Sequence, residues 1–224
     1  MSIWISGDTH GYYDELMARL ARSGVQPGDT IIVTGDFGFV WRHPEIRAAF
    51  FKLRKENYRF LFVDGNHEGF EMLAGFPLSD FCGGKAQIIE PNIVHLMRGE
   101  YYNIEGRSIF TFGGAYSHDR AMRQIGYSWF KEELPSAEEY LHGEETLAAH
   151  DYKVDYIITH TAPYSILRAM QFDIADEELQ LNSYLDKVKD TINFKHWFFG
   201  HYHQNKTILG KYTCLLDDII KLPE

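Results

Sequence analysis

Ile3-Trp4-Ile5-Ser6-Gly7-Asp8-Thr9-His10-Gly11 opens the chain with a run fit for a buried strand, followed at once by a carboxylate and an imidazole between two glycines. In an extended segment residues at i and i+2 point the same way, so Asp8 and His10 can reach one point. Gly7 and Gly11 suit a tight loop that brings the backbone close to that point. The same passage from apolar run to polar loop recurs along the chain. Asp36 follows Ile31-Ile32-Val33-Thr34-Gly35, and Asn66 and His67 follow Phe60-Leu61-Phe62-Val63-Asp64-Gly65. His160 follows Tyr156-Ile157-Ile158-Thr159, and His201 and His203 follow Trp197-Phe198-Phe199-Gly200. Strands that end at one sheet edge would gather these side chains in one place. Two carboxylates, one amide oxygen and four imidazoles are enough ligands for two divalent ions. That set points to a two-metal hydrolytic site acting on an ester.

Around these blocks the chain alternates. Residues 2–6, 30–34 and 59–63 read as strands. Between them, Tyr13 to Arg22 and Pro44 to Glu56 carry helical apolar spacing; Gly24 stops the first helix and Pro44 suits the first turn of the second. This βαβαβ rhythm predicts parallel pairing with right-handed crossovers. The period then shortens. Residues 93–96, 100–104 and 108–112, broken by Gly99 and Glu105-Gly106, predict a hairpin and a second sheet. Residues 113–136 carry no clear period, but they hold His118, Arg120, Arg123, Tyr127, Trp129 and Phe130. A long aromatic-rich loop of this kind is usually functional. Ser136 with Glu139 forms a capping box that starts a helix to His150. A strand at 155–159, a helix from Asp176 to Asp190 and closing strands at 195–199, 206–209 and 211–216 complete the chain.

Composition narrows the function. The 224 residues suffice for one domain with a substantial core. The net charge of −10, scattered along the chain, argues against a broad nucleic-acid face. Two cysteines, Cys82 and Cys214, cannot build a disulfide framework and read as reduced thiols. No apolar stretch approaches the ~20 residues of a membrane span, and no signal peptide is visible, so a cytoplasmic protein without membrane attachment is expected.

The blocks Gly7-Asp8-Thr9-His10-Gly11, Gly35-Asp36, Gly65-Asn66-His67-Glu68, Thr159-His160 and Gly200-His201-Tyr202-His203 resemble, in order, those of the calcineurin-like metallophosphoesterases. The resemblance spans residues 7 to 203. It implies a four-layer α/β/β/α sandwich of two mixed sheets with helices outside. It also implies a dinuclear centre whose bridging hydroxide attacks a phosphate ester. On this resemblance Asp8, His10, Asp36 and His203 hold one ion, and Asp36, Asn66, His160 and His201 hold the other, with Asp36 as the bridge. His67 would be catalytic, stabilising the transition state or protonating the leaving oxygen. Mixed nitrogen and oxygen donors favour manganese, iron, zinc or nickel.

Two features depart from the family's best-known branches. Glu68 stands where Asp is commoner, and Gly35-Asp36-Phe37-Gly38-Phe39-Val40-Trp41 lacks the Asp and Arg of the protein Ser/Thr phosphatases. Phosphate charge must then be met elsewhere, with Arg42, Arg120 and Arg123 as candidates. Phe37, Phe39, Trp41, Tyr127 and Trp129 could stack an aromatic leaving group, though ordinary packing is the simpler reading. The glutamate pairs at 132–133, 138–139, 144–145 and 177–178 read as solvated faces. The chain is thus expected to be a single domain, 1–224, capped at its site by residues 115–135, and to hydrolyse a small phosphomonoester or phosphodiester. The alternatives are a nuclease or cyclic-nucleotide phosphodiesterase, and a non-catalytic metal-binding scaffold for protein partners. The oligomeric state stays open.

Overall fold

The computed structural model describes residues 1–223. The first sheet has the order β13-β1-β2-β3-β6-β5-β4. Its strands are β1 (Ile3–Ser6), β2 (Thr30–Val33), β3 (Arg59–Phe62), β4 (Leu78–Phe81), β5 (Gly84–Glu90), β6 (Ile93–Leu96) and β13 (Ile219–Lys221). Strands β1, β2, β3 and β6 run parallel, and β13, β5 and β4 run against their neighbours. The second sheet has the order β11-β12-β10-β9-β8-β7. It consists of β7 (Glu100–Ile104), β8 (Arg107–Phe112), β9 (Tyr156–Thr159), β10 (His196–Phe199), β11 (Lys206–Ile208) and β12 (Tyr212–Cys214). Strands β8, β9, β10 and β12 are parallel, with antiparallel β7 and β11 at the edges.

Alternation along the strands builds three apolar layers, and these define the sandwich. Ile5, Ile32 and Leu61 of the first sheet meet Ile109, Ile158 and Phe198 of the second in a fully shared core. On the outer side of the first sheet, Ile31, Val33, Phe60 and Phe62 pack under Leu16 and Leu20 of α1 (Tyr13–Ser23), Leu53 of α2 (Pro44–Leu53) and Leu73 of α3 (Phe70–Leu73). On the outer side of the second, Phe110, Phe112, Ile157 and Trp197 pack under Leu147 of α4 (Ala137–Ala149), Ile166 of α5 (Tyr164–Ala169) and Leu185 of α6 (Leu179–Thr191). The order is helices, sheet, sheet, helices, as the α/β/β/α expectation has it.

Most predicted elements appear, with shifts that have local causes. Gly24 ends α1 in the left-handed conformation, φ 76°. The Ser136 hydroxyl accepts from the Glu139 amide while Glu139 accepts from the Ser136 amide, closing the capping box at the start of α4. Strand β6, expected beside the 100–112 hairpin, instead lies parallel to β3 in the first sheet. Only β7 and β8 form the hairpin. Strands β4, β5 and β13 and helices α3 and α5 were not expected. Both cysteines are free, and among the described residues no helix is long and apolar enough to cross a membrane.

Candidate metal centre

The parallel registers align strand exits. Ser6 pairs with Val33, and Val33 with Phe62. In the second sheet Ile158 pairs with Phe198, and Phe112 with Thr159. The loops after β1, β2, β3, β9 and β10 therefore leave the sandwich at one end. Two donor clusters form there. One atom each from Asp8, Asp36 and His160 lie within 4.8 Å of one another, and so do one each from Asp8, His10 and His203. The first cluster is buried; in the second, His203 is exposed. Asp8 belongs to both. His10 Nδ1 also comes within 3.7 Å of Asp36 Oδ2.

Backbone groups hold the buried cluster. His160 Nδ1 donates to the Thr34 carbonyl at 2.8 Å, linking the second sheet to the first. A carbonyl can only accept, so Nδ1 carries the proton and the neutral ring presents its lone pair at Nε2. That lone pair faces Asn66 Oδ1 at 3.0 Å and Asp36 Oδ1 at 3.3 Å. Three electron-rich atoms converge on one point, which requires a cation, a proton or a metal, between them. Burial opposes protonation of His160, but the Asp36 and Asp8 carboxylates outweigh it and raise the pKa. Burial likewise opposes ionisation of Asp36, yet the imidazoles of His160, His67 and His10 hold its carboxyl down at about 2. The donor set therefore fits divalent metals, with mixed carboxylate, amide and imidazole ligands in their unprotonated forms.

Close backbone approach makes the arrangement specific. A Cβ on Gly65 would overlap Asp36 Oδ1, and one on Gly200 would overlap Asp8 Oδ1. The His201 amide donates to both Asp8 oxygens, at 3.2 and 3.1 Å, and the His67 amide donates to Asp36 Oδ1 at 2.7 Å. Among the described residues, ten non-glycine residues have positive φ, and four of them are His10, Asp36, His201 and His203. Strain of this kind concentrates where the surroundings over-determine a functional geometry. Arg19, buried in α1, donates to the Asp8 carbonyl at 2.9 Å and so fixes the loop from below.

Asn66 and His67 diverge as adjacent residues must. The Asn66 amide nitrogen donates to Ser117 Oγ at 3.1 Å, which turns its oxygen toward His160. His67 faces an open groove of about 640 Å³, lined also by His10, Tyr12, Trp41, His203 and Arg123. Burial, with the charges of Arg123 and His10, lowers the His67 pKa against the pull of Asp36. Arg123 Nη2 lies 2.7 Å from His67 Nε2, and Arg123 Nε pairs with Asp119 at 2.8 Å. Phe39 and Val40, where the protein phosphatases carry Asp and Arg, are buried core residues. The guanidinium beside His67 is carried by the 113–136 segment. Arg120 pairs with Glu177 at 2.8 Å and lies over the Tyr116 ring. Arg42 pairs with Glu71 at 2.6 Å.

Several residues read from sequence as bland are not. Glu133 and Glu178, expected on solvated faces, are 2% and 1% exposed. Burial pushes the Glu133 carboxyl up to about 7. Glu68 is fully buried and accepts the Phe37 and Gly38 amides at 2.7 and 3.1 Å, pinning the loop after Asp36. Asp64 went unremarked. Burial disfavours its charge, but Arg98 and His95 overcome this and hold the carboxyl well below the usual range. Arg98 also donates to the Glu132 carbonyl at 2.6 Å and pairs with Glu139 at 3.1 Å, tying the 131–139 segment to the exit of β3. An acid closing an apolar run, Val63-Asp64, was the available signal. Phe37 and Phe39 belong to the core, so of the aromatic group Trp41 alone lines the groove. Tyr202, between His201 and His203, packs on Phe172 and bonds the Thr161 hydroxyl.

His201 is placed differently from the other expected ligands. Its ring centroid is 5.0 Å from that of His160, but the donor cluster it joins is with His118 and Glu178.

The calcineurin-like phosphoesterase family model matches residues 1–205. The chain belongs to that family and is a metal-binding phosphoester hydrolase. No match is found among curated proteins. Among solved structures the chain is similar to a phosphopantetheinyl hydrolase from Mycobacterium tuberculosis, with 17% identity, a TM-score of 0.42, and coverage of 96% of this chain and 89% of that one.

Proposed function

We propose that the protein hydrolyses a small phosphomonoester or phosphodiester at a dinuclear centre. Asp8, His10, Asp36 and His203 hold one ion, and Asp36, Asn66, His160 and His201 hold the other. The observation that carries this is the His160 lone pair, set against Asn66 Oδ1 and Asp36 Oδ1 with Nδ1 already committed to the Thr34 carbonyl. Manganese, iron, zinc or nickel suits these donors better than magnesium or calcium. When bound, the ions supply Lewis-acid charge at the phosphoryl oxygens and lower the pKa of the attacking water.

The chain's own residues do the rest. His67, at the groove wall, donates its ring N–H to the leaving oxygen. Arg123 approaches the same point and offers a fork to the phosphoryl oxygens. The segment 115–135 acts as a cap within a single domain, since it delivers Arg123 to His67 and Ser117 to Asn66. The filled ligand set and His67 favour chemistry over a non-catalytic scaffold. The net charge of −10 favours a small ester over extended nucleic acid.

The test pairs elemental analysis with steady-state hydrolysis of nitrophenyl mono- and diesters by metal-reconstituted protein. Two ions per chain and metal-dependent turnover are expected. One ion or none at saturating metal overturns the dinuclear reading, and two ions without turnover of any ester favours the scaffold.

A further inference from the structure

His118, Glu178 and His201 place one donor atom each within 4.8 Å of one another. The three come from different parts of the chain. His118 is exposed on the segment after β8, Glu178 closes the short turn Asp176–Glu178 before α6, and His201 follows β10. The His118 and His201 rings lie nearly parallel, 20° apart, with centroids 6.2 Å from each other. Glu178 is 1% exposed, and its Oε1 is buried without a hydrogen-bond partner. Leaving a carboxylate oxygen dry and unpaired is costly, and such an atom calls for a ligand.

Two imidazoles and one carboxylate are a donor set used for zinc, with a fourth position left for solvent. Tetrahedral coordination needs donors roughly 3.4 Å apart, given metal–ligand distances of about 2.0–2.1 Å. His118 is exposed on an irregular segment, so its ring is free to turn toward the other two donors.

We propose that His118, Glu178 and His201 form an additional cation position of zinc type, which competes for His201 with the second ion of the active site. The competition follows from chemistry. A neutral imidazole has one lone pair, so His201 serves one position or the other. Filling the additional position strips a ligand from the ion held by Asp36, Asn66 and His160. Zinc beyond the active pair therefore inhibits. This rests on the dinuclear reading above, and the test separates the two.

Chelator-stripped full-length protein is dialysed against stepped, buffered free zinc. Metal content is measured at each step, with turnover of a nitrophenyl ester in parallel. The wild type is expected to pass a plateau of two ions with full turnover, then to take up a third ion as turnover falls. His118→Ala removes an exposed side chain outside the active pair. It should keep two ions and basal turnover, fail to take up the third, and need about ten-fold more zinc or greater for the same inhibition, the scale of a lost metal-site contact. A wild-type plateau at two ions without inhibition overturns the additional position and leaves the dinuclear centre standing. A third ion in His118→Ala at the same free zinc overturns it too. A wild-type plateau at one ion or none overturns both.

Discussion

The floor and the rim of the site are built by opposite means. Asp8, Asp36, Asn66 and His160 form the floor, each nearly or wholly buried. Three of the four are fixed by backbone, since Thr34 holds His160, the His67 amide holds Asp36 and the His201 amide holds Asp8, while the Ser117 hydroxyl holds Asn66. His10, His67, His203 and Arg123 form the rim, where contacts are side chain to side chain, such as Arg123 on His67 and His10 Nε2 on His203 Nε2 at 3.4 Å. A floor pinned by peptide groups keeps its shape without ligands. A rim of facing imidazoles depends on what binds between them. Damage to the floor should therefore remove metal and activity together, whereas damage to the two rim residues that hold no ion, His67 and Arg123, should remove activity alone.

The largest effect is expected at the floor. Asp36→Ala leaves His160 without its carboxylate and, on the proposed assignment, removes a ligand from both positions. Metal content should fall below two ions per chain and kcat by on the order of 10³-fold, the several kcal/mol that metal charge supplies. Full metal content in this variant would break the comparison. His67→Ala comes next. Its kcat should drop roughly 10²–10⁴-fold with metal content unchanged, and less for good leaving groups such as nitrophenol. Metal loss here would make His67 a ligand and overturn its role at the leaving oxygen.

Arg123→Ala should lower kcat/KM by an amount worth roughly 1.5–3 kcal/mol, the scale of a hydrogen bond to a charged group, and Lys should rescue only in part. Arg120→Ala provides the contrast. Its exposed pair with Glu177 is worth at most about 1 kcal/mol, so kinetics close to wild type are expected. Equal losses in the two variants would mean the cap acts as a whole and not through Arg123.

The smallest effect concerns Glu133, which lies behind the rim on the cap. Its carboxyl is raised from 4.5 to about 7 by burial. The folded protein thus holds this proton more tightly than the unfolded chain. The stabilisation is full below pH 4.5 and is lost as pH rises to about 7, a change on the order of 2–3 kcal/mol. Denaturant unfolding of metal-free wild type and Glu133→Gln across this window should show the variant with the shallower loss. Parallel curves would place Glu133 in contact with water in the native state.

The strands that carry the ligands were legible because each is buried on both faces and reads as an unbroken apolar run. Strands β4 and β5 were not: Ser79, Asp80, Lys85 and Gln87 interrupt them, as suits antiparallel strands at a sheet edge. Helix α5, six residues long after Pro163, is too short for a period to show. Strand β6 was seen, but its sheet was not, since neighbour choice depends on the crossover and not on its own residues. At the site, residue types and spacing singled out Asp8, His10, Asp36, His160 and His203, which the fold brings together. Glu133, Glu178 and Asp64 were missed or misread because burial of a charged side chain is decided by distant partners, which a local reading cannot see.

The bond from His160 to the Thr34 carbonyl crosses the seam between the sheets, and so does that from the His201 amide to Asp8. Each candidate metal position therefore draws donors from both sheets. The apolar filling between the sheets then works as a spacer that sets the gauge of the ligand cage. Exchanging Ile32 or Ile158 for a bulkier or slimmer side chain would shift the first-sheet donors against the second-sheet donors at both candidate positions, without touching a donor. Selectivity between larger and smaller ions is in this sense stored in the interior, and an engineer seeking a different metal would begin there.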